Sequence, residues 1–178
     1  MSSDSPPTIR PASLSDIPTI LTFIRAAAAE QAPNAIVSAT ESSLASTLYL
    51  SNLSTESQSQ PPRFAHPILL ITPHGIPAGL AIYLYTYSTW AAKPGVCLEE
   101  LYVLPEYRRR GYARLLIQAM AREAKKAGCE RMEWICLEGN EKALRFYEGV
   151  GARRMSGWVM LGVGGEGIRE LAGERIDR

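Results

Sequence analysis

The chain has 178 residues and a mass of 19.5 kDa, with 46% hydrophobic and 21% charged residues, which fits one soluble globular domain around a single core and leaves no room for a second. Nineteen basic against eighteen acidic side chains give a formal charge of +1, too little to attract a nucleic acid or an anionic membrane globally. Three cysteines without CxxC spacing (Cys97, Cys129 and Cys136) and two histidines (His66 and His74) form neither a disulfide framework nor a clustered zinc site, so no metal is expected and a reducing compartment fits best.

Met1 to Pro7 is rich in Ser, Pro and Asp, reads as a flexible terminus and lacks the pattern of a signal peptide. The longest apolar tracts break within about ten residues, short of a membrane span, so the expected location is cytoplasmic, with the nucleus as second option. Ser13 and Asp16 are placed to cap a helix whose apolar positions Ile17, Ile20, Leu21 and Ile24 recur at helical spacing, and Pro33 should end it. A weaker helix is expected over Glu41 to Leu50. Ser51 to Pro62 is Ser-, Gln- and Pro-rich, and residues 51–66 are expected to form a mobile loop.

Ile68 to Thr72 and Ala78 to Tyr87 read as two strands of a hairpin turning through Pro73, His74 and Gly75. A third strand, Val96 to Val103, leads past Pro105 into a periodic helix, Gly111 to Ala127, with Leu115, Leu116, Ala119 and Met120 inward and Gly128 as its stop. Met132 to Leu137 follows as a strand, Asn140 opens a helix that ends at Gly149 and Gly151, and the apolar run Trp158 to Val163 is a final strand candidate. The order α–α–β–β–β–α–β–α–β describes an α/β domain on a mixed sheet, with residues 164–178 left as a tail or short helix.

The positive charge is concentrated. Residues 105 to 154 hold 12 basic and 7 acidic groups, whereas residues 1 to 104 hold 4 and 7, so an anionic ligand would meet the protein in the later segment. There the run from Leu101 to Ala113 passes from a strand straight into a helix. Unpaired N–H groups and the positive end of the helix dipole make such a start an anion site, and Gly111 allows close approach to phosphate oxygens. Arg108, Arg109 and Arg110 add charge, though the same residues also read as a solvated charge run with Gly111 as a plain turn. Neither Walker A nor GxGxxG is present.

Arg108-x-x-Gly111-x-Ala113 resembles the acetyl-coenzyme A signature of the GNAT N-acetyltransferase superfamily, and Gly139 to Ala152, with Asn140 opening a helix that carries Phe146 and Tyr147, resembles its second signature. The likeness covers residues 8 to 163 and implies a single GNAT domain with a mixed central sheet flanked by helices. Within the superfamily, Gly79 to Trp90 and Cys97 to Val103 are similar to segments of the diamine and polyamine (spermidine/spermine, thialysine) acetyltransferases. That resemblance implies acetyl-CoA as cofactor, held by Leu101, Tyr102, Val103, Arg108, Arg109, Arg110, Gly111, Tyr112, Ala113, Asn140 and Tyr147. It implies Glu99 as the group relaying a proton from the amine, Tyr147 as the acid protonating coenzyme A sulfur, and a two-fold homodimer. Two departures stand out: Arg109 occupies a position where that family has glycine, and Gln31, Asn34 and Ala35 replace acids that a polycation would meet.

Read as residues, Glu99 and Glu100 occupy adjacent strand positions and should face opposite sides, with Glu99 the base or a surface carboxylate and Glu100 orienting substrate or facing another element. Tyr85, Tyr87 and Trp90 form either sheet packing or one wall of an amine pocket. Tyr147 either packs its ring or projects its hydroxyl, and Asn140 caps its helix, contacts cofactor, or does both. Absence of a Cys–His pair fits direct attack by a small-molecule primary amine in a ternary complex. The rival readings are acetylation of protein lysine or N-termini, and a coenzyme A-binding regulatory protein without turnover.

Overall fold

The computed structural model describes residues 5–51 and 62–174. They fall into two compact units divided between Leu137 and Glu138, and each is described by itself. The first unit holds β1 (Thr8–Pro11), α1 (Ile17–Gln31), α2 (Glu41–Thr47), β2 (His66–Ile71), β3 (Pro77–Ser88), β4 (Lys93–Val103), α3 (Tyr112–Lys126) and β5 (Arg131–Trp134). Its sheet runs β1-β2-β3-β4-β5, antiparallel through β4 and parallel between β4 and β5, with α3 as the crossover. The expected hairpins and strand–helix–strand unit are present, and the mixed sheet with flanking helices is the architecture expected from the sequence.

Each helix start has a local cause. The Asp16 carboxylate accepts hydrogen bonds from the Ser13 N–H and hydroxyl, both at 2.7 Å, and Arg10 bridges it at 2.7 and 2.8 Å, tying β1 to the start of α1. Thr40 and Ser43 exchange side-chain and backbone bonds at the start of α2. The α1 and α2 side of the sheet is filled by Ile17, Ile20, Leu21, Phe23, Ala27 and Leu44 against Leu69, Leu80, Ile82 and Tyr102. On the opposite side α3 buries Leu116, Ile117, Met120 and Ala124. Gly79 makes this possible, because a Cβ there would lie 3.1 Å from the Leu116 side chain and 3.3 Å from the Tyr102 carbonyl.

The second unit holds α4 (Glu141–Gly149) and α5 (Gly165–Leu171). The expected strand from Trp158 to Val163 does not form: the segment is irregular and exposed, with Leu161 at 88%. An apolar run needs a ladder partner to become a strand, and periodicity cannot supply one. Two further differences are small. β1 is a strand that the sequence pattern does not reveal, and β5 stops at Trp134 rather than Leu137. Of the expected mobile loop 51–66, residues 52–61 lie outside the described residues. Beyond them the Phe64 N–H donates to the Thr47 carbonyl at 2.8 Å, and β2 begins at His66.

Candidate active site

β4 is eleven residues long and β5 only four, and their pairing ends at Leu98 opposite Trp134. From Glu99 to Val103 the β4 edge turned away from β3 therefore has no partner strand among the described residues. Side chains meet two of its backbone groups, the Leu101 N–H donating to Glu100 at 3.1 Å and the Val103 carbonyl accepting from Arg108 at 2.8 Å, and no strand covers the rest. Leu101, Tyr102 and Val103 all lie on that stretch. It leads through Leu104 and a 3-10 turn at Pro105–Tyr107 to Gly111, which stands at φ +80° ahead of α3.

The first bond within α3 is donated by the Leu115 N–H to the Gly111 carbonyl, at 3.0 Å. The amides of Tyr112 and Ala113 thus have no acceptor inside the helix. A Cβ at Gly111 would meet no atom within 4 Å, so backbone angle rather than crowding favours glycine. Arg109 also takes a positive φ, +62°, at the position where the resembling family has glycine. A non-glycine residue held there costs about 1 kcal/mol.

The three arginines diverge. Arg109 is exposed. Arg110 donates to the Glu106 carbonyl at 3.2 Å and lies over the Tyr107 ring, whose other neighbour is Tyr112, stacked at 6.3 Å. Arg108 turns back: its Nε donates to the Val103 carbonyl at 2.8 Å, and its Nη2 reaches Glu30 Oε1 at 2.6 Å and Oε2 at 2.9 Å. Its charge is matched within the fold.

The two carboxylates on β4 sit where its ladder is irregular. The ladder with β3 shifts by one residue between Ile82 and Tyr83, so Leu98 opposes Tyr83, Glu100 opposes Ile82, and Glu99 is the extra residue of a β-bulge. Cross-strand partners share a face. Glu100 therefore lies with Ile82, Leu80 and Tyr102 on the α1 side, and the bulge puts it on the face opposite Leu98. Glu99 is exposed. Glu100 is half-buried, and burial pushes its carboxyl up to about 7 from 4.5; the Leu101 N–H, donating to it at 3.1 Å, opposes this, and the neighbouring charge of Glu99 adds to it. The sequence places both acids on the strand, but the one with a perturbed carboxyl is visible only once the bulge and its burial are known.

Tyr83, Tyr85 and Tyr87 share one face, as alternation predicts, but it is the face opposite Glu100. Tyr85 packs edge-on to Tyr83 and to His66, which stacks between Tyr49 at 4.3 Å and Tyr83 at 5.2 Å. Tyr87 is 63% exposed, and Trp90 at the hairpin tip is 88% exposed. Tyr85 and Tyr87 thus lie on the face away from Glu100.

In the second unit Asn140 accepts the Ala143 N–H at 3.1 Å and is the N-cap of α4. Tyr147 is half-buried beside Phe146, their rings 5.3 Å apart, and its carbonyl accepts from the Val150 and Ala152 amides where the helix ends. Among the described residues no group of His, Cys, Asp and Glu could hold a metal ion, and no helix is long and apolar enough to cross a membrane.

Residues 37–152 match the profile of the acetyltransferase (GNAT) family. L-ornithine N5-acetyltransferase of Arabidopsis thaliana is 33% identical over 94 residues, covering 53% of this chain and 41% of that protein. Thialysine N-epsilon-acetyltransferase of Mus musculus is 37% identical over 98 residues, covering 53% and 57%. The match spans about half the length of these curated relatives. An integron cassette protein of V. cholerae superposes with a TM-score of 0.72 at 21% identity, over 94% of this chain and 98% of its own. An aminoglycoside acetyltransferase from a soil metagenome, in complex with sisomicin, superposes at 0.67 and 14% identity, over 89% and 97%. At such identities these two likenesses establish fold alone.

Proposed function

Because the chain belongs to the acetyltransferase (GNAT) family, we propose that it transfers the acetyl group of acetyl-coenzyme A to a terminal primary amine of a lysine-like amino acid or short diamine. The observation that carries this reading is the open β4 edge from Glu99 to Val103, which runs directly to the Gly111 start of α3. An edge of that kind suits the amide-bearing arm of the cofactor, and the amides of Tyr112 and Ala113 with the exposed charge of Arg109 suit its pyrophosphate. Bound there, acetyl-coenzyme A would supply an activated acyl group as a thioester. Asn140 and Tyr147 complete the binding set by resemblance.

An attacking amine must first lose its proton. Glu100, with its carboxyl near 7, is matched to that task at neutral pH, and exposed Glu99 beside it is suited to orient the ammonium group. The proposal thus gives Glu100 the proton that the resemblance alone would give Glu99. A backbone N–H on the β4 edge would meet charge developing on the carbonyl oxygen, and the Tyr147 hydroxyl would protonate the departing sulfur. The identities to an ornithine and a thialysine acetyltransferase favour an amino acid acceptor. Gln31, Asn34 and Ala35 are exposed and uncharged, so a polycation gains nothing from them.

Release of free thiol from acetyl-coenzyme A over a panel of ornithine, thialysine, lysine, a short diamine, spermine and a lysine peptide tests the reading. Turnover of the amino acids above spermine and peptide is the expected result. Coenzyme A binding without transfer to any amine would instead establish a regulatory protein. A two-fold dimer belongs to the same proposal, and light scattering showing only a 19.5 kDa species at micromolar concentration would remove it.

A further inference from the structure

We infer that Glu30, on the last turn of α1, is a positioning residue for the cofactor loop, acting through Arg108. The inference rests on the coenzyme A reading of that loop. The Arg108 guanidinium has two tasks in one geometry. Its Nε closes the loop on itself by donating to the carbonyl of Val103, the final residue of β4, at 2.8 Å. Its Nη2 is held by both oxygens of Glu30, at 2.6 and 2.9 Å, 78 residues away in sequence. Tyr102 completes the arrangement, with its ring 5.5 Å beneath the guanidinium carbon and its hydroxyl donating to Glu30 Oε1 at 3.4 Å. Tyr102 itself is anchored in the core against Phe23 of α1, ring to ring at 5.6 Å.

The loop from Val103 to Gly111 is therefore fixed at its first residue by a side chain whose other end is held by α1. Arginine has a planar fork of donors, so fixing one nitrogen orients the rest. Without Glu30 the guanidinium can rotate about its stem and the Val103 contact loses its orientation, which displaces the loop relative to the β4 edge. The pair is a poor stability device, because Glu30 is 46% exposed and Arg108 26%. Its value lies in geometry. Neutralised by Glu30, Arg108 also contributes little net charge to an incoming phosphate, which falls to Arg109.

The test uses the full chain with three substitutions: Glu30→Gln, Glu30→Arg and the exchange Glu30→Arg with Arg108→Glu. Coenzyme A affinity by calorimetry and the acetyl-CoA KM should weaken about tenfold in Glu30→Gln, the size of one charge-assisted hydrogen bond, with kcat at saturation within about twofold and the thermal midpoint unmoved. Glu30→Arg should be weaker still, and the exchange should recover part of the loss. Unchanged or tighter coenzyme A binding in folded Glu30→Gln would overturn the inference, tighter binding meaning that Glu30 merely masks a phosphate-binding charge. Failure of the wild-type chain to bind coenzyme A would instead refute the reading on which it rests.

Discussion

Replacing Glu100 by Gln removes one ionisable group from a half-buried position while keeping its shape and its acceptor for the Leu101 N–H. The folded protein holds the Glu100 proton more tightly than the unfolded chain, at about 7 against 4.5. The group's stabilising contribution is therefore complete below the unfolded value and is lost as pH rises through the folded one. Linkage gives a cost of ionisation of about 0.8 kcal/mol at pH 5 and about 3 kcal/mol at pH 8. Relative to Glu100→Gln, the wild-type protein should thus lose roughly 2.5 kcal/mol over that interval. Urea unfolding of both proteins at pH 5, 6, 7 and 8 measures the difference directly. As the base, Glu100 should also carry catalysis: the mutant kcat/KM should fall by roughly 10²-fold or more and lose the ionisation near 7. Stability curves that run parallel from pH 5 to 8 would refute the buried-carboxylate argument, and a wild-type rate profile in the mutant would refute its role as base.

Three further outcomes follow from the same geometry. Gly111→Val should fold, at a cost of about 1 to 2 kcal/mol for a φ of +80° in open space, but should bind coenzyme A at least tenfold more weakly; calorimetry on the folded variant showing unchanged affinity would contradict the phosphate cradle. Tyr147→Phe should retain coenzyme A affinity and lower kcat by roughly 10²-fold, and a full rate with chemistry limiting would leave Tyr147 as a packing residue. Arg10 and Ser13 hold the Asp16 carboxyl well below the usual carboxylate range, a contribution present at neutral pH and lost as pH falls through the acid range. Asp16→Asn should cost about 2 kcal/mol at pH 7 with the gap narrowing below about pH 4, and denaturation curves showing an equal gap at pH 3 would disprove the linkage.

Where the chain's own periodicity meets a partner that it also encodes, the sequence was sufficient. The α3 stripe of Leu116, Ala119 and Met120 is buried, the β2 and β3 hairpin turns at Gly75, and Asn140 caps α4. Paired motifs made the family recognisable, and the positive φ of Gly111 ahead of α3 is a local property of the loop they mark. Long-range facts were not legible. β1 is four residues ending in Pro11 on an exposed edge, too short and too polar to carry a pattern, and Trp158 to Val163 has a strand's composition but no ladder. Nothing local distinguishes Glu99 from Glu100 either: the difference arises from a one-residue offset against β3, and the destination of Arg108 from a contact 78 residues away. Among the signals available, only two adjacent acids on an otherwise apolar strand hinted that the ladder there is irregular.

That offset has a consequence for how the protein can diverge. Every pair from Tyr83–Leu98 out to Ser88–Lys93 keeps one phase, and every pair from Ile82–Glu100 back to Gly79–Val103 keeps another. The extra residue is a joint between two separately indexed ladders. Insertions or deletions around Trp90 are absorbed by the outer ladder, and a slip there would have to pass Glu99 before it could move the stretch from Glu100 to Val103. The exposed tip, with Tyr87 and Trp90 at its surface, can consequently change length and chemistry to suit a new neighbour or substrate, while the stretch of β4 that leads to Gly111 and α3 keeps its alignment.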